Sequence, residues 1–190
     1  MKITEIIRDE VIARSQKYRQ NIENYDFWNE HIRLVVKNAL NLAGRNDADK
    51  EIVELAALLH DIALIEGGEK IDHHERGAEI SVEILEKYNY PSDKIEKVRK
   101  CVLNHRSSHN GNTVEEKCVA DADILAHFDN IPMLFECQLV HKKNGLDIAR
   151  QNVKNGLIKD FDDLSDETRN STRHRFDNIL VVLFGEIDEE

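Results

Sequence analysis

Apolar residues in this chain recur at intervals of three and four rather than two, and that spacing restricts it to helices. Ile3, Ile6, Ile7, Val11 and Ile12 share one face of a first helix that is predicted to fade near Tyr25. Ile32, Val35, Val36, Ala39, Leu40 and Ala43 predict a second, which Gly44 can end. Asp47 or Asp49 is placed to cap a third, carrying Ile52, Leu55, Ala56, Leu59 and Ile62. After Gly67-Gly68 the pattern resumes with Ala78, Ile80, Val82, Ile84 and Leu85. Pro91-Ser92-Asp93 opens a further helix through Ile95, Val98 and Val102 to His105. Helices are also expected over Val114 to Phe128, Pro132 to Lys143 and Asp147 to Leu157. A last one begins at Ser165-Asp166-Glu167 and is expected to bury Phe176, Ile179, Leu180 and Leu183. The run Ile179 to Phe184 is strand-like in composition, but its flanks have helical period. With 2 Pro, 8 Gly and no linker-like or repeated segment, the expectation is an all-α helical bundle, one domain over residues 1–190.

A hydrophobic fraction of 41% suffices for a core. Lys and Arg number 26 against 37 Asp and Glu, a net charge of -11, which counts against binding a nucleic-acid polymer. A small anion remains compatible where a metal or a local Arg cluster supplies positive charge. No apolar run approaches the roughly 18 residues of a membrane span. The first residues run directly into charge, so no secretory leader is expected. Cys101, Cys118 and Cys137 are odd in number and form no Cys-x-x-Cys pair, which suits free thiols in a reducing cytoplasm.

Nine histidines carry most of the chemical information. His60-Asp61 follows the apolar run Leu55 to Leu59, where an unpaired imidazole would be costly. The dipeptide alone is weak, and a hydrogen-bonded core histidine is its bland explanation. Its company is more telling. His31 opens one apolar-faced helix, His74 opens another and His105 closes a third, while Asp121 and Asp123 interrupt an apolar helix. Imidazoles and carboxylates from four or five helices of one bundle are what a buried Zn, Mn, Fe or Co site requires.

This ordered set resembles the HD-domain superfamily of metal-dependent phosphohydrolases, whose pattern is a His, a His-Asp pair and a distant Asp on an all-α core. His31, His60-Asp61 and Asp121-Ala122-Asp123 repeat it in order, giving an HD-type core of about 28–130 with flanking helices. The family's Ala-Asp-x-Leu context points to Asp123 rather than Asp121. His74, in a His-Glu-x-Gly-Ala stretch, and His105 match positions that complete a second site in two-metal branches. Other features depart from the family. Ile62-Ala63-Leu64 replaces the frequent Gly-Lys, Ile124 replaces the usual Arg after the last Asp, and neither a Gly-Tyr-Pro signature nor the alarmone-hydrolase Glu-Asp pair is present. Hydrolysis of signalling nucleotides is therefore disfavoured.

The resemblance implies one divalent transition metal (Mn, Fe, Co, Ni or Zn) on His31, His60, Asp61 and Asp123, with a second ion through His74 and His105. Asp61 is the candidate to orient or deprotonate the attacking water. Arg76 and Arg106 are candidate phosphate clamps, with Lys70 behind them, although surface carboxylates could equally occupy both arginines. Asp121 is as readily a brace for Asp123 as a ligand. His73 is expected as a solvated helix-start residue, and His109, His127, His141 and His174 as surface or packing residues. The implied activity is hydrolysis of a phosphoester or phosphoanhydride bond in a small phosphorylated compound such as a nucleotide. A di-iron oxygenase of the same layout and a non-catalytic scaffold are the alternatives. Met1 to Tyr25 and Pro132 to Glu190 are free to wall the pocket or to form a homodimer face.

Overall fold

The computed structural model describes residues 2–19 and 25–185, all in helices, turns and loops with no strand among them. The order is α1 (Ile3–Tyr18), a π-helical turn Trp28–Ile32 leading into α2 (Arg33–Arg45), α3 (Lys50–Leu59), α4 (Ile62–Ile65), α5 (His73–Lys87) and α6 (Ser92–Asn104). A 3₁₀ turn at Ser108–Asn110 precedes α7 (Val114–Asp129) and α8 (Ile131–Glu136). A second π turn, Cys137–His141, continues α8, and α9 (Leu146–Asp162) and α10 (Asp166–Phe184) follow. The all-α expectation holds. No helix of the described residues is long and apolar enough to cross a membrane.

The centre of the bundle is α3, in which Ile52, Val53, Leu55, Ala56, Ala57, Leu58 and Leu59 are all buried. A helix apolar around its whole circumference must be enclosed on every side, and α1, α2, α6 and α7 enclose it. Asp49 rather than Asp47 caps it, accepting from the Glu51 and Ile52 amides at 3.0 and 3.3 Å. The helix stops at Leu59 instead of running through Ile62, and His60-Asp61 form the break before α4. On α1 the inward face is Thr4, Ile7, Val11 and Ser15, narrower and more polar than its isoleucines suggest. The expected continuation of that helix toward Tyr25 falls partly outside the described residues. Of the positions expected to be buried on α10, only Phe176 is; Ile179, Leu180 and Leu183 are half-buried.

A second apolar cluster lies on the outer side of α7, where Ile124 and Phe128 meet Val153, Leu157, Phe161, Leu164 and Phe176. Phe161 and Phe176 stack with centroids 4.1 Å apart. Asp121 ties this layer to the bundle. Its buried carboxylate accepts from Ser108 Oγ, from Ser165 N at 2.9 Å, and from Ser165 Oγ and Thr168 Oγ1 at 2.5 Å each. Asp121 is therefore a cross-link between α7, the 3₁₀ turn and the start of α10. Two positions along a helix differ by about 200°, so it faces away from Asp123.

Asp121→Ala would strand three hydroxyls and an amide that have no other acceptor of comparable quality. Urea denaturation is expected to show a loss of about 2–4 kcal/mol. Asp121→Asn, which puts donors where acceptors are needed, should recover only part of it. A loss below about 0.5 kcal/mol for the alanine variant would remove this cross-link as a source of stability.

Candidate metal centre

Six residues from five parts of the chain converge between α2, α3, α5, α6 and α7. His31 sits in the first π turn, His60 and Asp61 in the break after α3, His73 at the first residue of α5, His105 just beyond α6, and Asp123 within α7. The four histidines and Asp61 are buried. Three of the rings are fixed in one way. The Nδ1–H of His60 donates to the Ala57 carbonyl at 2.9 Å, that of His73 to Lys70 at 2.8 Å and that of His105 to Val102 at 2.6 Å. Each ring is thus held by a carbonyl three residues earlier, which leaves Nε2 unprotonated and aimed inward, as in histidines that ligate metals. His60 and His105 also stand at helix C-termini, where carbonyl dipoles favour a cation. A Cβ on Gly77 would lie 3.2 Å from the His60 carbonyl, so glycine lets α5 approach the break. Gly68 is tighter still, its Cβ position being 2.7 Å from the Ala63 carbonyl.

The inward atoms fall into two groups that share Asp61. His31 Nε2 and His60 Nε2 are 3.1 Å apart, 3.6 and 3.5 Å from Asp61 Oδ2. Asp123 Oδ1 lies 2.9 Å from His31 Nε2 and 3.6 Å from His60 Nε2. On the other side, His73 Nε2 and His105 Nε2 are 3.1 Å apart and 3.5 and 3.7 Å from Asp61 Oδ1. Two imidazole nitrogens bound to one ion at about 2.1 Å and angles of about 90–110° would stand about 3.0–3.4 Å apart. With both Nδ1–H groups of His73 and His105 committed to carbonyls, their Nε2 lone pairs face one another, which is favourable only around a cation or a shared proton. Asp123 Oδ1 is buried without a hydrogen-bond partner among the described residues. The donor set fits a divalent metal, with room for a second ion across Asp61.

The electrostatics keep both carboxyls ionised and His105 neutral, while His60 holds a proton. Burial opposes the charge on Asp61, but the His60 and His31 rings outweigh it and hold the carboxyl below its usual range. The same contest leaves Asp123 well below, with His31 and His60 as its partners. Burial together with the charge on His60 pushes His105 down to about 4, so its imidazole is neutral. Burial also opposes charge on His60, yet Asp61 and Asp123 raise it well above the ordinary value. A metal ion would replace that proton.

Two expectations are corrected. The second triplet is Asp61, His73 and His105, not one built on His74. Neighbouring helix positions differ by about 100°; His73 faces inward, whereas His74 belongs to none of the clusters among the described residues. Nor is His73 solvated. Arg76 is exposed, packs near Gly68 and lines neither cavity beside the cluster, so it is not a clamp in this arrangement. Arg106 does reach the site. It lines a cavity of about 380 Å³ over the cluster, together with Lys70, Lys142 and Lys159. Lys159 pairs with Asp163; Lys70, Arg106 and Lys142 have no ion-pair partner among the described residues.

His127, expected as a surface or packing residue, lies beside the cluster, four residues after Asp123 on the same helix face. Its ring stacks on His31 with centroids 5.5 Å apart, and its Nδ1–H donates to Asp160 Oδ2 at 2.8 Å. Burial lowers its pKa, but the bond and charge of Asp160 prevail and raise it to about 8. A raised pKa means that the pair's contribution to stability is full below about pH 6.5 and fades as pH rises through about 8. In metal-free protein, an NMR titration of His127 should give a midpoint near 8, and Asp160→Asn should bring it below 6.5. An unchanged midpoint in that variant would remove Asp160 as the cause.

Comparisons with known proteins agree with this geometry. Residues 29–127, just over half of the chain, match the family model of the HD domain. The crystal structure of Bacillus subtilis YpgQ in complex with ADP superposes with a TM-score of 0.68 at 22% identity, covering 95% of this chain and 93% of that one. An HD-superfamily hydrolase from an uncultured Thermotogales bacterium gives 0.56 at 22% identity, with 96% and 98% covered. One from Bacillus thuringiensis gives 0.61 at 20% identity, with 94% and 96% covered. In sequence, a tRNA (cytidine(56)-2'-O)-methyltransferase of Picrophilus torridus is 31% identical over 133 residues, 65% of this chain. The chain spans only 38% of that relative's length. Ordered ligand residues, an all-helical frame and a matched core of 29–127 lead to one conclusion: the chain belongs to the HD-domain family.

Proposed function

We propose that this protein is a metal-dependent phosphohydrolase that cleaves a phosphoester or phosphoanhydride bond of a small phosphorylated compound, a nucleotide in particular. One observation carries the reading. In a chain of net charge -11, the unpaired cations Lys70, Arg106 and Lys142 gather in a single cavity over a His/Asp cluster. Gathered in one cavity, their charges are placed to act together on an anion. The neighbour solved with ADP is consistent with a nucleotide.

His31, His60, Asp61 and Asp123 would hold the ion, with His73 and His105 available to a second. A divalent ion there would lower the pKa of a bound water and offset charge on the phosphoryl oxygens. Asp61, kept ionised by its imidazoles, would hold the ion and orient that water without taking its proton. Arg106 and Lys70 bind and orient the phosphate, while Lys142 extends the positive wall. His127, whose Nδ1–H is committed to Asp160, has Nε2 left for a substrate oxygen in the cavity. No glutamate near the break is placed to protonate a leaving group: Glu66 is engaged by Arg14, and neither Glu69 nor Glu75 lines the cavity.

The test is elemental analysis beside phosphate release from a panel of nucleotides and sugar phosphates. One or two equivalents of divalent metal are expected, lost in Asp61→Ala along with at least a thousandfold in kcat/KM (~10³). Arg106→Ala should raise KM about tenfold and lower kcat less. The di-iron oxygenase reading uses the same ligands and would be favoured by two irons with oxygen consumption and no phosphate release. Absence of any metal after reconstitution would favour the scaffold.

A further inference from the structure

A second cavity of about 570 Å³ opens from the same cluster, sharing His31, Asp61, Leu64, Lys70, His127 and Cys137 with the cationic one. Its character differs. Tyr25, Phe27, Met133 and His141 line this cavity and not the other. Tyr25 and Phe27 meet edge to face with centroids 4.7 Å apart, and the His141 ring stands edge-on to Tyr25 at 6.4 Å. Gly68 adds no side chain on the side near Lys70.

Both π-helical turns border this chamber, the first through His31 and the second through Cys137 and His141. A π turn is less favourable than the α-helical continuation and recurs where side chains are needed in a site. In the second turn, Cys137 and His141 stand four residues apart and both face the chamber. The volume lies within the range of about 300–1,000 Å³ of small-ligand sites, which are mainly apolar with a few polar groups fixing orientation. Arg106 and Lys142 line only the cationic cavity and Tyr25, Phe27 and Met133 only this one, while His31, Asp61 and Lys70 line both.

We infer that the chamber walled by Tyr25, Phe27 and Met133 receives the planar heteroaromatic base of the substrate while its phosphate lies among Lys70, Arg106 and the His/Asp cluster. Tyr25 and Phe27 are then specificity-determining residues, selecting base-bearing phosphates over bare sugar phosphates by stacking. This inference rests on the phosphohydrolase reading for the position of the phosphate, but its own content is the preference for a base.

Calorimetric titration of the metal-loaded protein with AMP and with ribose 5-phosphate isolates the base, and phosphate release is followed in the same samples. AMP is expected to bind about tenfold more tightly, the usual worth of stacking one base on aromatic side chains. The preference should shrink to within about twofold in Tyr25→Ala and in Met133→Trp, which fills the chamber, and return in Tyr25→Phe. Equal affinity of the parent for both compounds, or binding of neither, overturns the inference. So does a preference that survives both chamber variants. A base preference without phosphate release upholds the chamber and sinks the hydrolase reading. Release from both compounds without a base preference does the reverse.

Discussion

A carboxylate with an imidazole pair on each oxygen is the constraint around which this bundle is arranged. Asp61 is buried, ionised, and faces four Nε2 atoms at 3.5–3.7 Å. Such a group is tolerable in an interior only when positive charge is supplied nearby. The helices deliver the imidazoles at their ends rather than their middles, and carbonyls three residues back hold the rings of His60, His73 and His105. The apolar enclosure of α3 then serves a second purpose: it fixes the break at His60-Asp61, so that helix length sets ligand position. Asp121, on the opposite face of α7, secures the layer that carries Asp160 and the far wall of the cationic cavity.

Much of this was legible in the chain. Helix period exposed the all-α frame, and polar groups interrupting apolar faces drew attention to His31, His60, Asp61, His105 and the Asp121–Asp123 segment, but only the resemblance to the HD pattern joined them into a ligand set and preferred Asp123 to Asp121. What escaped depended on angles at helix junctions. His73 and His74 are adjacent, and which one faces inward is decided by where α5 starts within its loop, a matter of one residue. Arg76 was misplaced for the same reason. His127 could have been found from its i+4 relation to Asp123, but its role depends on Asp160, 33 residues away. Tyr25, Phe27 and Met133 read as ordinary apolar residues, since only the closing of α8 over the break makes them a wall.

The charge distribution has a logic that composition hides. An acidic protein repels anions at long range, yet the cavity over the ligands collects cations that the abundant surface acids leave alone. Lys159 is answered by Asp163, while Lys70, Arg106 and Lys142 are not. Long-range repulsion and short-range capture together favour small anions that can enter over large ones that cannot, independently of any single contact.

The π turn at Trp28–Ile32 bears on how a sequence like this can change over time. A π turn is an α-helix with one extra residue, and α2 beyond it is locked in register by Val35, Val36, Ala39, Leu42 and Ala43. Losing the one residue between His31 and α2, Ile32, would keep the register of α2 but rotate His31 by about 100°. The helix would survive and the ligand would be lost. A length change between His31 and Arg33 is therefore far less neutral than its position at the edge of a helix suggests, because it takes the His31 ring away from His60 and Asp123.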